Sequence, residues 1–187
     1  MKQFKEKILK TPQTVFRMKD IALLLEESDY NKLKSKVSYH SQNGFLRKVR
    51  KNIYVKENYD FLELVNKLYN PSYISLETVL QKEGIVFQNY ETVFAVSYLS
   101  RQVEVDGRKI KYRKLKDEIL SNKRGVIKKG NYFRATKERA FLDSLYLYDD
   151  YYFDNIESLD FEKVVNLASL YNRKTLIKKV KKIFKND

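Results

Sequence analysis

The chain has 187 residues, 43% of them hydrophobic, which is enough to bury the core of one medium domain or two small ones and excludes disorder as its main state. Lys and Arg number 38 against 24 Asp and Glu, a net charge of +14, so a polyanionic partner is the first expectation. With no cysteine, one histidine and no glycine followed by Lys-Ser or Lys-Thr, the chain lacks a disulfide framework, a zinc cluster, a Cys-His catalytic pair and a P-loop.

The sequence also bears on where the protein works. No segment approaches the roughly 20 consecutive apolar residues that span a bilayer. The basic amino end is not followed by the apolar segment of a secretory leader. We therefore expect a cytoplasmic protein with no membrane partner, no bound metal and no organic cofactor.

The basic excess is unevenly distributed, and three basic segments are interrupted by one acidic segment. Basic and acidic side chains number 14 and 7 in residues 1–60, 14 and 8 in 61–136, 3 and 8 in 137–163, and 7 and 1 in 164–187. The polar stretch of residues 56–60 is the only candidate linker. It predicts two domains, residues 1–58 and 59–187.

The first domain begins with three predicted helices. Residues 4–9 form a short amphipathic helix that ends before Pro12, and residues 18–25 have apolar side chains at helical spacing. Ser28 or Asp29 caps a third helix that runs to about Gln42. The second and third helices are therefore joined by the short connection of a helix-turn-helix.

A basic hairpin follows the third helix. Residues 45–49 and 53–55 alternate apolar side chains around a short basic turn, and residues 15–17 form a further short strand. Helix, helix, turn, helix and basic hairpin is the order of a winged helix-turn-helix.

The second domain mixes helices and strands, so the predicted fold class is α+β, with a small antiparallel sheet and carboxy-terminal helices. Helices are predicted at residues 59–68, 75–83, 137–148, 161–171 and 174–185. Strands are predicted at residues 92–99, 102–105, 109–114, 125–127 and 132–135, with Asp106-Gly107 in a type I′ turn between the second and third of them.

The third helix and the hairpin carry the candidate DNA-binding residues. The predicted recognition helix combines hydrogen-bonding, aromatic and positive side chains: Tyr30, Asn31, Lys32, Lys34, Ser35, Lys36, Ser38 and Tyr39. The predicted wing adds four cations: Arg47, Lys48, Arg50 and Lys51. Asn, Ser and Lys read base edges in the major groove, and Lys and Arg bind phosphates. The alternative for the helix alone is a solvated basic face, and the adjoining wing favours DNA.

Two further clusters have structural interpretations beside functional ones. The lysine-rich last helix is either a capping helix kept soluble by its lysines, or a contact for nucleic acid, an anionic membrane or an acidic partner. Arg139 and Asp143 have the i, i+4 spacing of a surface ion pair. His40 lies where a core-facing or helix-end residue would lie, and a packing role is expected for it.

Catalysis is not expected. A common metal-dependent nuclease places Asp or Glu two residues before Lys, and no such triplet occurs in the chain. A nucleotidyltransferase needs a Gly-Ser turn, and no Gly-Ser occurs either. No catalytic or metal-binding residue is therefore assigned.

Four segments together resemble one family. Met18-Lys19-Asp20-Ile21-Ala22, Asn52-Ile53-Tyr54-Val55, the stretch from Pro71 to Leu80 and the stretch from Ala135 to Asp143 resemble the AbiE-type (AbiEi) antitoxins of type IV toxin-antitoxin and abortive-infection systems. The similarity extends from about residue 14 to 171. Many family members have glycine where this chain has Asn52, and asparagine also tolerates a positive φ.

The resemblance implies a bacterial repressor that binds inverted repeats in its own promoter as two protomers or a dimer. Its carboxy-terminal domain would antagonise a co-encoded nucleotidyltransferase-like toxin, without a stable complex being assumed. Several members have a longer carboxy-terminal domain. Two other hypotheses remain open: a stand-alone winged-helix regulator whose second domain senses a ligand or partner, and a nucleic-acid-processing enzyme.

Overall fold

A computed structural model gives the structure of residues 2–185, with side chains from residue 3. The chain is α+β, as predicted, and divides into two compact units, Met1–Leu68 and Tyr69–Asp187. The division falls later than the boundary predicted after residue 58. The difference is one helix, which belongs to the first unit.

The first unit follows the predicted order of elements closely. It contains α1 (Lys2–Lys10), β1 (Val15–Arg17), α2 (Met18–Leu25), α3 (Tyr30–Gln42), β2 (Arg47–Arg50), β3 (Ile53–Val55) and α4 (Phe61–Leu68). The strands form an antiparallel sheet with β3 between β1 and β2. The helices α1 to α3 and the sheet enclose one hydrophobic core. Its buried side chains are Phe4, Ile8, Phe16, Met18, Ile21, Leu33, Val37, Leu46 and Tyr54.

The helix α4 is joined to the rest of this unit by polar contacts of two of its residues, Glu63 and Lys67. The buried Glu63 accepts hydrogen bonds from the backbone and the hydroxyl of Thr14, at 2.9 and 2.7 Å. Lys67 Nζ lies 2.8 Å from Asp20 on α2. Burial raises the pKa of Asp20, but hydrogen bonds from Lys67 and from the Arg17 backbone outweigh burial and leave that pKa below its usual range.

His40 packs in the core of the first unit, in agreement with its expected role. Its side chain is 2% exposed and stacks on Phe4 with ring centroids 4.0 Å apart. Burial, and then the charge of Lys5, lower the pKa of His40 below its ordinary value of 6.5. The imidazole is therefore neutral in the folded chain at neutral pH.

We expect the first unit to lose stability in mild acid because of His40. The unfolded chain binds this proton more readily than the folded chain, so the stabilisation is complete above pH 6.5 and is lost as the pH falls through the lower pKa of the folded state. Hydrogen exchange of the Leu33 and Val37 amides, corrected for intrinsic exchange, should report lower protection at about pH 5 than at about pH 8. His40→Phe should flatten this dependence, and an equal loss in that variant would contradict the assignment.

The second unit contains more strands than predicted. Its elements are β4 (Ser72–Ile74), α5 (Glu77–Lys82), β5 (Val93–Ser97), β6 (Arg101–Val105), β7 (Arg108–Lys114), α6 (Asp117–Ser121), β8 (Val126–Lys129), β9 (Tyr132–Ala135), α7 (Lys137–Leu147), α8 (Phe161–Ala168), a 3₁₀ turn (Ser169–Tyr171) and α9 (Lys174–Ile183). The six strands form one sheet in the order β6-β7-β5-β4-β9-β8. The helix α7 contacts β9 and α5 and is covered by α8 and α9.

The prediction of a small antiparallel sheet is wrong for this unit, because the sheet is mixed. The predicted hairpin β6–β7 is present and antiparallel, and β8 and β9 form a second antiparallel hairpin. They join the middle of the sheet in parallel pairings, β7 with β5 and β9 with β4. The turn of the first hairpin has positive φ at Asp106 and Gly107, 52° and 72°, as a type I′ turn requires.

The prediction that Arg139 and Asp143 form a surface ion pair is also wrong. Both side chains are fully buried, with Arg139 Nε 3.3 Å from Asp143 Oδ1. Asp143 accepts hydrogen bonds from the hydroxyls of Tyr73, Ser75 and Tyr171 at 3.0, 2.7 and 2.6 Å. Arg139 donates to the Tyr73 hydroxyl and to the carbonyl of Ile119, both at 2.8 Å. This polar cluster joins β4, α7 and the 3₁₀ turn inside the unit.

Candidate nucleic-acid interface

The orientation of α3 follows from its cap and its buried residues. The Asp29 side chain accepts hydrogen bonds from the backbone of Asn31 and Lys32 at 2.9 and 3.1 Å, and so begins the helix. Leu33, Val37 and His40 are buried. Because these residues lie on one side of the helix, the opposite side faces solvent.

All eight residues predicted on the recognition helix are exposed. Five of them, together with Gln42, line one shallow depression along the helix: Asn31, Lys34, Ser35, Ser38 and Tyr39. Gln42 was missing from the predicted site, although it lies four residues after Ser38 and the helical spacing could have revealed it. We call these six residues the α3 stripe.

The lysines of α3 differ in their partners. Lys36 Nζ lies 2.6 Å from Glu27 Oε2, and this hydrogen bond lowers the pKa of Glu27. Lys32 Nζ is 4.0 Å from Asp29. No carboxylate of the described residues lies within ion-pair distance of Lys34, which belongs to the stripe. Lys34 is therefore the helix cation best placed to bind a phosphate.

Tyr30 is the predicted residue at the start of the helix. It is 55% exposed at the first turn of α3. Burial raises the pKa of Tyr54 on β3, and the nearby Tyr30 hydroxyl raises it further. The Tyr30 hydroxyl is therefore close enough to Tyr54 to interact with it electrostatically.

The hairpin of β2 and β3 presents those cations to solvent. Arg47, Lys48, Arg50 and Lys51 are all exposed. The pairing with β3 shifts between Lys48 and Arg50, which is a β-bulge, and the guanidinium of Arg47 lies 5.7 Å from the centre of the Tyr59 ring. The bulge twists the strand and turns its tip.

The hairpin turn is fixed by Asn52. Its φ is 61°, so asparagine adopts the positive φ that glycine would otherwise supply. The carbonyl of Asn52 accepts a hydrogen bond from the Met18 backbone at 3.1 Å. The turn therefore satisfies a donor at the start of α2 and is held against it.

The last helix, α9, carries a second basic surface. Leu176 and Val180 are buried, whereas Ile177 is 37% exposed. Five lysines are exposed on the helix or just after it: Lys174, Lys178, Lys181, Lys182 and Lys185. Lys179 donates a hydrogen bond to the Asp149 carbonyl at 2.7 Å. The helix is therefore amphipathic, and any partner of its basic side stays a prediction.

Two further observations concern cofactors and membranes. In the part of the chain that the structure describes, no three His, Asp or Glu side chains are grouped closely enough to share a metal ion. Among the same residues, no helix combines the length and the apolar composition required to cross a bilayer.

Comparison with known proteins does not assign this chain to a family. No protein-family model matches it, and no curated protein is significantly similar to it. The function is therefore proposed from the residues of the chain.

Proposed function

We propose that the first unit is a winged helix-turn-helix that binds double-stranded operator DNA, and that the protein is a transcriptional repressor. The observation that carries this proposal is that one side of α3 is buried and the other side is exposed. The predicted base-reading residues are all exposed, while the buried residues of the helix lie on its other side. The exposed cations of the hairpin add the affinity for phosphates that such a domain needs.

The dimensions and chemistry of α3 suit the major groove. The helix has 13 residues and is therefore about 20 Å long, and the groove is about 12 Å wide, enough to admit an α-helix. Asn31 and Ser35 would hydrogen-bond to base edges. Lys34 and the hairpin would bind the phosphates on either side.

The resemblance to AbiE-type antitoxins supports a wider proposal. We propose that this is a cytoplasmic, non-catalytic protein that represses its own operon as two protomers or a dimer on inverted repeats. Its second unit would antagonise a co-encoded nucleotidyltransferase-like toxin without forming an obligatory complex with it. Restoration of growth when both proteins are co-expressed tests this part, and no restoration would favour a stand-alone regulator.

A gel-shift titration of the full chain on its own upstream DNA tests the repressor. We expect binding at least about tenfold tighter than to scrambled DNA of equal length, measured at about 50 and 200 mM salt. Asn31→Ala and Ser35→Ala should each reduce the preference by about 1–3 kcal/mol and leave the affinity for scrambled DNA unchanged. Both side chains are exposed, so the fold should tolerate the changes.

Two outcomes would overturn the proposal that the protein is a repressor. Equal and steeply salt-dependent binding to both DNAs would leave a general nucleic-acid binder. Cleavage of the DNA or of RNA with a divalent metal would favour a processing enzyme.

A further inference from the structure

In the second unit, the end of α5 is joined to the hairpin of β8 and β9 by charged side chains. Lys82 is the last residue of α5, and Glu83 follows it. The Glu83 carboxylate accepts a hydrogen bond from Nη2 of Arg134, which lies on β9. The end of the helix is therefore held against the face of the hairpin that carries Arg134.

The strand register brings a second lysine to that face. Arg134 lies opposite Ile127 across the hairpin, and Lys129 lies opposite Tyr132. Opposite residues, and alternate residues along one strand, share a face of an antiparallel pair. Lys129 and Arg134 are therefore diagonal neighbours, about 7–8 Å apart and within reach of each other's long side chains.

The two lysines are close enough to repel each other. The charge of Lys129 contributes most to a pKa of Lys82 below its usual 10.5, and burial and the charge of Arg134 lower it further. The two ammonium groups also interact directly, at hydrogen-bonding range. Glu83 opposes this shift but does not cancel it. The folded chain therefore holds like charges together, an arrangement that a bound anion would relieve.

Donors of all three cations are open to a ligand. Lys82 and Lys129 are exposed, and no carboxylate of the described residues lies within ion-pair distance of either. Arg134 donates through Nε to the Ala135 carbonyl at 3.1 Å and through Nη2 to Glu83. In the described part of the chain, its Nη1 is neither hydrogen-bonded nor fully buried. We call Lys82, Lys129 and Arg134 the cation cluster.

The charge of the cluster indicates the class of anion. Three cations beside one carboxylate leave a net charge of +2. A phosphate monoester carries about −1.5 to −2 at neutral pH and presents three acceptor oxygens, which matches this charge and these donors. A carboxylate or a phosphodiester carries a single negative charge and would neutralise only half of it. Lysine and arginine are also the usual protein partners of phosphate.

We propose that the cation cluster binds a phosphate monoester or free phosphate. One phosphate oxygen would accept hydrogen bonds from both ammonium groups, and another would accept one from Arg134 Nη1. The bound group would replace repulsion between Lys82 and Lys129 with attraction, and would stabilise the contact of α5 with the hairpin. The site lies in the second unit, so it does not rest on DNA binding by the first.

Phosphate titration of the full chain, followed by the amide NMR signals of Gly84 and Gly130 beside the cluster, tests this site. We expect inorganic phosphate and phenyl phosphate to shift these signals saturably at constant ionic strength. Dimethyl phosphate, a diester with one negative charge, should bind about tenfold more weakly, as expected when a charge-assisted hydrogen bond is lost. The tighter of the first two ligands distinguishes an organic monoester from free phosphate as the source, and either result supports the site.

Two adjacent lysines provide a variant and its matched control. Lys129→Gln should weaken phosphate binding about tenfold. Lys128→Gln removes the same charge one residue away on β8, but Lys128 lies on the opposite face of the hairpin. It should bind phosphate like the wild type. Both side chains are exposed, so the hairpin should tolerate either change.

Three results would overturn the proposal. The first is that neither phosphate nor phenyl phosphate shifts the Gly84 and Gly130 signals saturably up to millimolar concentration. The second is equal binding by Lys129→Gln and Lys128→Gln, which would reduce the site to net charge. The third is dimethyl phosphate binding as tightly as phosphate, which would exclude selection of a dianion. None of these measurements involves DNA, so failure of this site and failure of the repressor are separate findings.

Discussion

Replacement of Asp143 by asparagine is expected to lower the free energy of unfolding of the second unit by about 3–5 kcal/mol. The carboxylate is fully buried, pairs with Arg139 and accepts hydrogen bonds from three hydroxyls. The asparagine amide has a similar shape but no charge. Asp143→Asn would therefore leave the Arg139 guanidinium buried without its counterion.

The protonation states of the neighbouring groups keep this cluster ionic. Burial, and then the Asp143 carboxylate, hold the pKa values of Tyr73 and Tyr171 well above the usual 10, so both hydroxyls stay donors. Burial lowers the pKa of Arg139, but Asp143 and the tyrosines more than offset that effect and leave it above its usual value. Because guanidinium groups do not lose their proton in proteins, Arg139 would keep its buried charge once the carboxylate is removed.

Hydrogen exchange of the α7 amides in the full chain measures this effect on the second unit. The control is Glu6→Gln, which removes the partner of Lys10 in an exposed pair with the same i, i+4 spacing. Such exposed pairs contribute about 0.3–0.5 kcal/mol. If Asp143→Asn lowers the free energy of unfolding of the second unit no more than Glu6→Gln lowers that of the first unit, the buried pair does not stabilise the fold as argued.

Replacement of both Arg50 and Lys51 by alanine should weaken binding to the operator and to random DNA by the same factor. Phosphate contacts carry no sequence information, and each one contributes about 0.9 to the slope of log affinity against log salt. Loss of two contacts should flatten the slope by about 1.8 and reduce affinity about 30-fold near physiological salt. Both side chains are exposed, so the hairpin should keep its fold.

The second unit provides a matched control for the hairpin. Arg108 and Lys109 also lie at the turn of an antiparallel hairpin, and the double change to alanine there removes the same charge. Gel shifts over a salt series should separate the two double variants. If both double variants lose the same DNA affinity, that affinity arises from net charge and not from the hairpin of β2 and β3. If the Arg50 and Lys51 variant binds DNA as tightly as the wild type, the wing has no part in the proposed function.

The sequence predicted the first unit well because its signals are local. Apolar spacing, the Asp29 cap and the basic turn at Lys51 and Asn52 each specify a structure within a few residues. The central strand β4 was missed because it has only three residues and no short turn joins it to a partner strand. Its parallel pairing with β9 joins residues far apart in the chain, which no local pattern reveals.

The same limit applies to individual side chains. The exposed residues of the α3 stripe were predictable because Leu33 and Val37 fix the opposite side of the helix. The burial of Arg139 was not, since an i, i+4 pair has the same spacing on a surface as in a core. The ion pair of Lys36 with Glu27 depends on how α2 leads into α3, and a charge pattern does not contain that geometry.

The attachment of α4 has an evolutionary consequence. Protein domains are exchanged by recombination, and a tolerated crossover must leave each domain with its own hydrophobic core. A crossover near residue 58 would remove the hydrogen bond between Thr14 and the Glu63 carboxylate and the ion pair between Lys67 and Asp20. The smallest heritable module of this protein therefore extends through Leu68, and exchange of partners or specificities would occur at the junction that follows it.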